Sequence, residues 1–239
     1  MKTLYICGDI HGELVPLVND AAKEIKDASI LIVGDFGAGF GGTIESYKKI
    51  EKNLEERDIE LYAIRGNHDD PSWFIDGSHD LPRLKFLKDH TLIDICGYSI
   101  YPVGGATSVD IDLPDFSGKT RRQRNNDLIK YRSHKRVWWP EEVIDASVET
   151  FPVKVDIIVS HDAPLGFEPI PTRTEYMSLE TWNSVLEGRK YLDKVLKEIN
   201  CKRWFYGHHH KSYSGHVGDL LYRCLGIQEL YQVPEKEKE

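Results

Sequence analysis

The chain has little of what would place it in an oxidising, membrane or polyanion-binding setting. Only four cysteines, Cys7, Cys96, Cys201 and Cys224, occur in 239 residues, and none forms a CxxC pair. Three of them lie inside apolar runs, which argues for reduced core residues and against a disulfide frame or zinc knuckle. No stretch approaches eighteen apolar residues, and the opening run of Leu4, Tyr5, Ile6 and Cys7 passes straight into Gly8 and Asp9. Neither export nor membrane spanning is therefore expected, and a cytoplasmic address is the expectation that follows. Excess positive charge is missing too: 31 Lys and Arg face 39 Asp and Glu, a formal net charge of -8. A surface of that sign does not attract a nucleic-acid backbone as a whole. Internal repeats and low-complexity linkers are absent.

One segment departs from this balance. Residues 119–136 carry Lys119, Arg121, Arg122, Arg124, Lys130, Arg132, Lys135 and Arg136 against the single acid Asp127, a net +7 in eighteen residues. It falls in a basic insertion expected near residues 106–137. Such a concentration of charge is a candidate contact for a polyanionic or phosphate-flanked substrate. The plainer reading is a solvated insertion whose cations meet acids elsewhere on the surface.

What is present is an ordinary globular composition, 40% hydrophobic and 29% charged, at a length that fits one domain. Apolar bursts over residues 3–7, 29–33 and 60–64 read as strands, separated by helical periodicity over residues 13–26 and 43–57. Strands alternating with helices imply a partly parallel sheet reached by right-handed crossovers. Residues 91–95 and 98–103 flank Gly97 as a hairpin. Later come a buried strand over 155–159, a helix over 179–199, a short strand over 204–206 and a last strand over 217–225. The tail from Glu235 is charged and expected to fray.

Each main apolar run empties into a cluster of metal-ligand type. GDIHG supplies Asp9 and His11, GDFG supplies Asp35, GNHD supplies Asn67, His68 and Asp69, SHD supplies His161, and GHHH supplies His208 and His210. In an open α/β sheet the carboxyl ends of the strands face one crevice, so five distant segments can build one site. Asp9 and His11 are two apart at a strand end, which puts both on one side if the extended backbone persists. His208 and His210 repeat that spacing and turn His209 elsewhere. Gly8, Gly34, Gly66 and Gly207 precede the polar residues, where a missing side chain permits close approach. Singly, each residue has a plainer role as a helix cap, a turn residue or a core histidine. Five strand ends with the right chemistry together argue for a metal site. Carboxylates and imidazoles without a thiolate cluster suit Mn, Fe, Zn or Co. Two ions need a shared ligand, and Asp35, with two oxygens, is the candidate bridge. Two ions roughly 3.5–4 Å apart bind phosphoryl oxygens, generate hydroxide from water and stabilise the leaving oxygen.

This motif set, in this order, resembles the calcineurin-like metallophosphoesterase superfamily over roughly residues 1–225. The resemblance implies an α/β fold, a four-layer αββα sandwich of two mixed β-sheets flanked by helices. It implies one metal on Asp9, His11, Asp35 and His210 and another on Asp35, Asn67, His161 and His208. The cofactor expected is two divalent ions, Mn first, with Fe, Zn, Co or Ni as alternatives. His68 resembles the family's catalytic histidine, with Asp69 orienting its ring. GDIHG and RGNHD are similar to the protein Ser/Thr phosphatase branch, in which Arg65 would clamp the phosphate. GDFGAGFGG lacks that branch's GDxVDRG pattern, which turns the expectation away from phosphoprotein substrates. The activity implied is hydrolysis of phosphate monoesters. Phosphodiester hydrolysis on cyclic nucleotides, dinucleotides or nucleic-acid ends is the alternative, and a non-catalytic scaffold of the same fold is the rival of another kind. Trp138 and Trp139 read as core anchors or pocket walls, core first, ahead of a helix start at Pro140, Glu141 and Glu142, and Trp73 as a pocket candidate.

Overall fold

The computed structural model describes residues 2–39, 42–108, 139–175 and 177–236. The basic segment 119–136 and Trp138 lie outside the described residues, so the expectations attached to them are not placed. Eleven strands are described: β1 (Thr3–Cys7), β2 (Ala28–Ile32), β3 (Ile59–Ala63), β4 (Leu84–Phe86), β5 (Ile93–Ile95), β6 (Tyr98–Val103), β7 (Ile157–Ser160), β8 (Arg203–Tyr206), β9 (Tyr213–Val217), β10 (Leu220–Cys224) and β11 (Leu230–Gln232). The described helices are α1 (Leu14–Pro16), which widens into a looser turn over Leu17–Ala21, α2 (Thr43–Glu56) and α3 (Leu179–Glu198), with one 3-10 turn at Pro71–Phe74.

Two mixed sheets result. The first has the order β11-β1-β2-β3-β4, parallel except for β11; the second has the order β5-β6-β7-β8-β10-β9, with antiparallel strands only at its edges. β2 is buried along its whole length, as a central parallel strand covered on both faces must be. Its alternation assigns the layers. Ile30 and Ile32 pack with Tyr47, Ile50 and Leu54 of α2, while Leu31 and Val33 face Ile100, Ile157, Val159 and Phe205 of the other sheet. The outer face of the second sheet packs Trp204, Tyr206 and Tyr222 against Tyr191, Leu192 and Val195 of α3. The order is helix, sheet, sheet, helix. Ser178 starts α3, its hydroxyl accepting the Thr181 N–H at 3.0 Å, which satisfies one of the amides a helix start leaves open.

Several expectations are corrected here. The helix expected over residues 13–26 is short and irregular: the turn over Leu14–Pro16 gives way to a wider one over Leu17–Ala21, closed by the Ala22 N–H on the Leu17 carbonyl at 2.8 Å. The carbonyls of Val18 and Ala22 are taken instead by the buried guanidinium of Arg57, at 2.9 and 2.6 Å. The last strand expected over 217–225 is a hairpin, β9 and β10, turning at Gly218 and Asp219. β4 and β11 have three residues each, too short to show a period. No helix starts at Pro140. Residues 140–141 form a turn, and Glu142 folds inward to accept the Trp139 N–H at 2.9 Å.

Candidate metal centre

The parallel strands of both sheets end at one edge, and there the motifs meet. The loops after β1 and β2 are joined by backbone bonds from Ile10 and His11 N–H to the Asp35 carbonyl, at 3.3 and 2.7 Å. Those after β7 and β8 are joined by the Gly207 N–H to the His161 carbonyl, at 3.1 Å. Ligand atoms of Asp9, His11, Asp35 and His210 all lie within 4.8 Å of one another. His210 Nε2 is 3.2 Å from Asp9 Oδ2, and His11 Nδ1 is 3.8 Å from Asp35 Oδ2. On the other side of Asp35, His161 Nε2 stands 3.3 Å from Oδ1 and 3.0 Å from Asn67 Oδ1. The His208 ring packs edge-on to His161, with centroids 5.0 Å apart.

The means of convergence differ from the expected one. Strand alternation does not carry Asp9 and His11, or His208 and His210, to one side, because the extended backbone ends before these pairs. His11, Asp35, His208 and His210 all sit at positive φ, between 46° and 64°. Left-handed backbone at a non-glycine residue costs energy and tends to collect where function requires it. Two glycines allow the crowding: a Cβ at Gly66 would lie 2.1 Å from Asp35 Oδ1, and one at Gly207 would lie 2.0 Å from Asp9 Oδ1.

These residues fit a divalent cation. His161 Nδ1 is 2.8 Å from the Val33 carbonyl, an arrangement that places the proton on Nδ1 and turns Nε2 toward Asp35 and Asn67. His11 and His210 aim their Nε2 atoms at each other across 2.9 Å, within reach of one shared ion. Desolvation holds the His208 imidazole down to about 3 against the pull of Asp162, leaving it the neutral form a metal takes. Burial works against a charge on Asp35, yet His161 and His68 beside it hold its carboxyl far below the usual range. For His161 burial is likewise outweighed, and the Asp35 and Asp9 carboxylates raise it to about 10. In both cases the carboxylates attract positive charge to the centre.

Sequence comparison agrees with this geometry. The calcineurin-like phosphoesterase profile matches residues 2–212. The chain belongs to this family. No curated protein matches it in sequence. Among solved structures, phosphopantetheinyl hydrolase (PptH) from Mycobacterium tuberculosis is 14% identical, with a TM-score of 0.51, over 97% of this chain and 95% of that one. A candidate 5′-nucleotidase from Staphylococcus aureus is 14% identical with a TM-score of 0.42, over 95% of this chain and 48% of that one. At such identity the likeness to PptH speaks for the fold alone. Family and ligand cluster together give a metal-dependent phosphoester hydrolase in general terms.

Within this phosphoesterase the expected catalytic residues have distinct positions. His68 lies at the mouth of the centre, its backbone N–H donating to Asp35 Oδ1 at 2.9 Å and its ring 6.0 Å from that of His11. Asp69 differs from the expectation that it orients that ring. Its oxygens accept four backbone amides, from Phe36, Gly37, Ala38 and Gly66 at 2.7 to 3.1 Å, which fills the acceptor positions of a carboxylate. It therefore fastens the second motif to the third. Burial and the Asp35 charge push its carboxyl up, and the amides pull it back.

Arg65 is likewise employed differently from a phosphate clamp. Its Nε donates to Asp89 at 2.5 Å, and its two terminal nitrogens donate to the carbonyls of Glu141, Glu142 and Val143 at 3.2, 2.8 and 2.9 Å. The guanidinium is buried, and it ties the third motif to residues 141–143. A cleft of about 440 Å³ opens beside it, lined by Asp70, Phe74, Ile75, Lys88 and Trp139 among others. Trp73 instead stacks on His79 and packs against Phe86 at the core beneath the first sheet. His209 turns away to Asp162, 3.1 Å from its Oδ1, although left-handed turns and not strand alternation set its direction.

Two polar residues escaped the sequence reading. Ser108 and Glu142 are both buried, Ser108 immediately behind Asn67 and Glu142 behind Ser108. Ser108 follows the carboxyl end of β6, and position at a strand end was the one signal available for it. Glu142 reads in sequence as a helix-start acid, and nothing local distinguishes the two uses.

Proposed function

We propose that the chain is a phosphomonoesterase working with two divalent ions, Mn foremost. One ion would be held by Asp9, His11, Asp35 and His210, the other by Asp35, Asn67, His161 and His208. The observation that carries this reading is the division of labour at Asp35. Its Oδ2 faces His11, and its Oδ1 faces His161 and accepts the His68 N–H. A carboxylate whose oxygens address two separate ligand groups is built to be shared. Two ions so placed supply Lewis acidity toward the phosphoryl oxygens and an activated water as nucleophile.

The chain's own residues provide the rest. The left-handed turns at His11, Asp35, His208 and His210 fix the ligand directions before any ion arrives, so little reorganisation is left to the reaction. His68, on the rim, is placed to hold the phosphoryl group or to give a proton to the departing oxygen.

The test is hydrolysis of an aryl phosphate and of a bis-aryl phosphate by metal-stripped protein, with and without Mn. Mn-dependent turnover, faster on the monoester, is the expected result. Faster turnover of the diester would replace the reading with a phosphodiesterase. Two bound Mn ions without hydrolysis of either ester would make the chain a scaffold.

A further inference from the structure

Asn67 presents a problem that a carboxylate ligand does not. Its side-chain oxygen and nitrogen exchange places on a half-turn with almost no change of shape, yet only the oxygen can bind a cation. In the structure Oδ1 lies 3.0 Å from His161 Nε2, on the Asp35 side, and Nδ2 donates to Ser108 Oγ at 2.8 Å. The choice of face is therefore made at Ser108.

Ser108 is itself constrained from behind. It is almost fully buried, and its backbone N–H donates to Glu142 Oε1, which sets the residue beside that carboxylate. Glu142 Oε2 accepts the Trp139 N–H at 2.9 Å, so both oxygens act as acceptors. The negative charge of a carboxylate beside it draws the Ser108 hydroxyl proton to the Glu142 side. Its lone pairs are left for Asn67, and an acceptor at that point admits the NH2 group and excludes the oxygen. The polarity thus runs from Asn67, which donates to Ser108 Oγ, toward the Glu142 charge behind it. Glu142 in turn is fixed through its backbone: its carbonyl accepts from Arg65 Nη1 at 2.8 Å and from the Ala106 N–H at 3.1 Å. Gly105, at φ 88°, leaves the space, since a Cβ there would lie 2.4 Å from that carbonyl.

We propose that Ser108, held by Glu142, is a positioning residue that turns the Asn67 amide so that its oxygen faces the cation shared with Asp35, His161 and His208. This assignment rests on the two-ion reading above. It also gives the buried Arg65 guanidinium a purpose in the site, as the anchor of the residues that carry Glu142.

The experiment is a calorimetric titration of metal-stripped protein with Mn, for the wild type and for Ser108→Ala, Ser108→Thr and Ser108→Val, with thermal unfolding measured alongside. Thr and Val have the same shape and differ in the hydroxyl, so the pair separates hydrogen bonding from fit. Wild type and S108T are expected to bind two ions. S108A and S108V are expected to keep one and to bind the other about 10 to 100-fold more weakly, the usual cost of losing a partner behind a ligand. Tight binding of both ions by S108A and S108V would overturn the assignment. So would equal weakening in S108V and S108T, which would trace the effect to bulk. A wild type that binds a single ion would instead overturn the two-ion reading and take this assignment with it.

Discussion

The two halves of the metal centre are built on different principles. Around His161 the side chains are sealed, 0% exposed for His161 and 2% for Asp35, and each is held from behind by a backbone carbonyl, an amide or the Ser108 relay. Around His11 and His210 they stand open, at 33% and 45%, held mainly by left-handed turns and by the carboxylates in front of them. A buried polar cluster must satisfy every donor and acceptor or lose stability, so the closed half carries structural weight as well as chemistry. The two exposed rings of the open half are free of that obligation, though Asp9 beneath them is buried, and they leave room for a substrate to approach.

Asp35 belongs to both halves, and its replacement should have the largest effect. In Asp35→Asn both ions should be lost or weakened, and turnover should fall by more than about 10³, since metal assistance contributes several kcal/mol to such reactions. Metal analysis together with steady-state kinetics reads both. Two tightly retained ions would remove Asp35 from the shared position and dissolve the comparison itself.

His68 tests whether chemistry can be separated from either half. His68→Ala should lower turnover by about 10² to 10⁴ while the ion count stays unchanged. The loss should shrink for esters with acidic leaving groups, which need little protonation. An equal loss across leaving groups would assign His68 to holding the phosphate.

The sharpest test of the contrast is stability without metal. His161→Ala in chelator should lose about 3–5 kcal/mol, because it strips a buried partner from the Asp35 and Asp9 carboxylates. His11→Ala should stay within about 0.5 kcal/mol of the wild type under the same conditions, as exposed positions usually do. Urea unfolding measures both. Similar losses for the two variants would show that the halves are structurally equivalent.

Much of the fold was legible because β2 is buried along its length and must be an apolar run, β1 and β3 alternate buried with half-buried residues, and α2 must place Tyr47, Ile50 and Leu54 on one side. What escaped had too little length or too little apolar surface to leave a pattern. β9 is mostly exposed, β4 and β11 have three residues, and the turn at Pro140 imitates a helix start. The same limit applied at the site. Candidate ligands announce themselves by residue type at strand ends, whereas Ser108, Glu142 and the employment of Arg65 and Asp69 depend on partners 31 to 78 positions away along the chain.

By itself the sequence determined the chemical inventory and its order: five strand-end motifs, rich in carboxylate and imidazole and poor in thiolate, within an alternating α/β pattern. Those features are local, fixed by residue type and by periods of two and 3.6, so they survive without coordinates. The tertiary structure decided which atoms face which. It set the two oxygens of Asp35 toward different histidines, filled Asp69 with backbone amides, committed Arg65 to carbonyls, and turned the Asn67 amide through Ser108. Each of these is a choice between hydrogen-bond partners of nearly equal intrinsic strength, and only the packing of distant segments against one another makes one partner available and the other not.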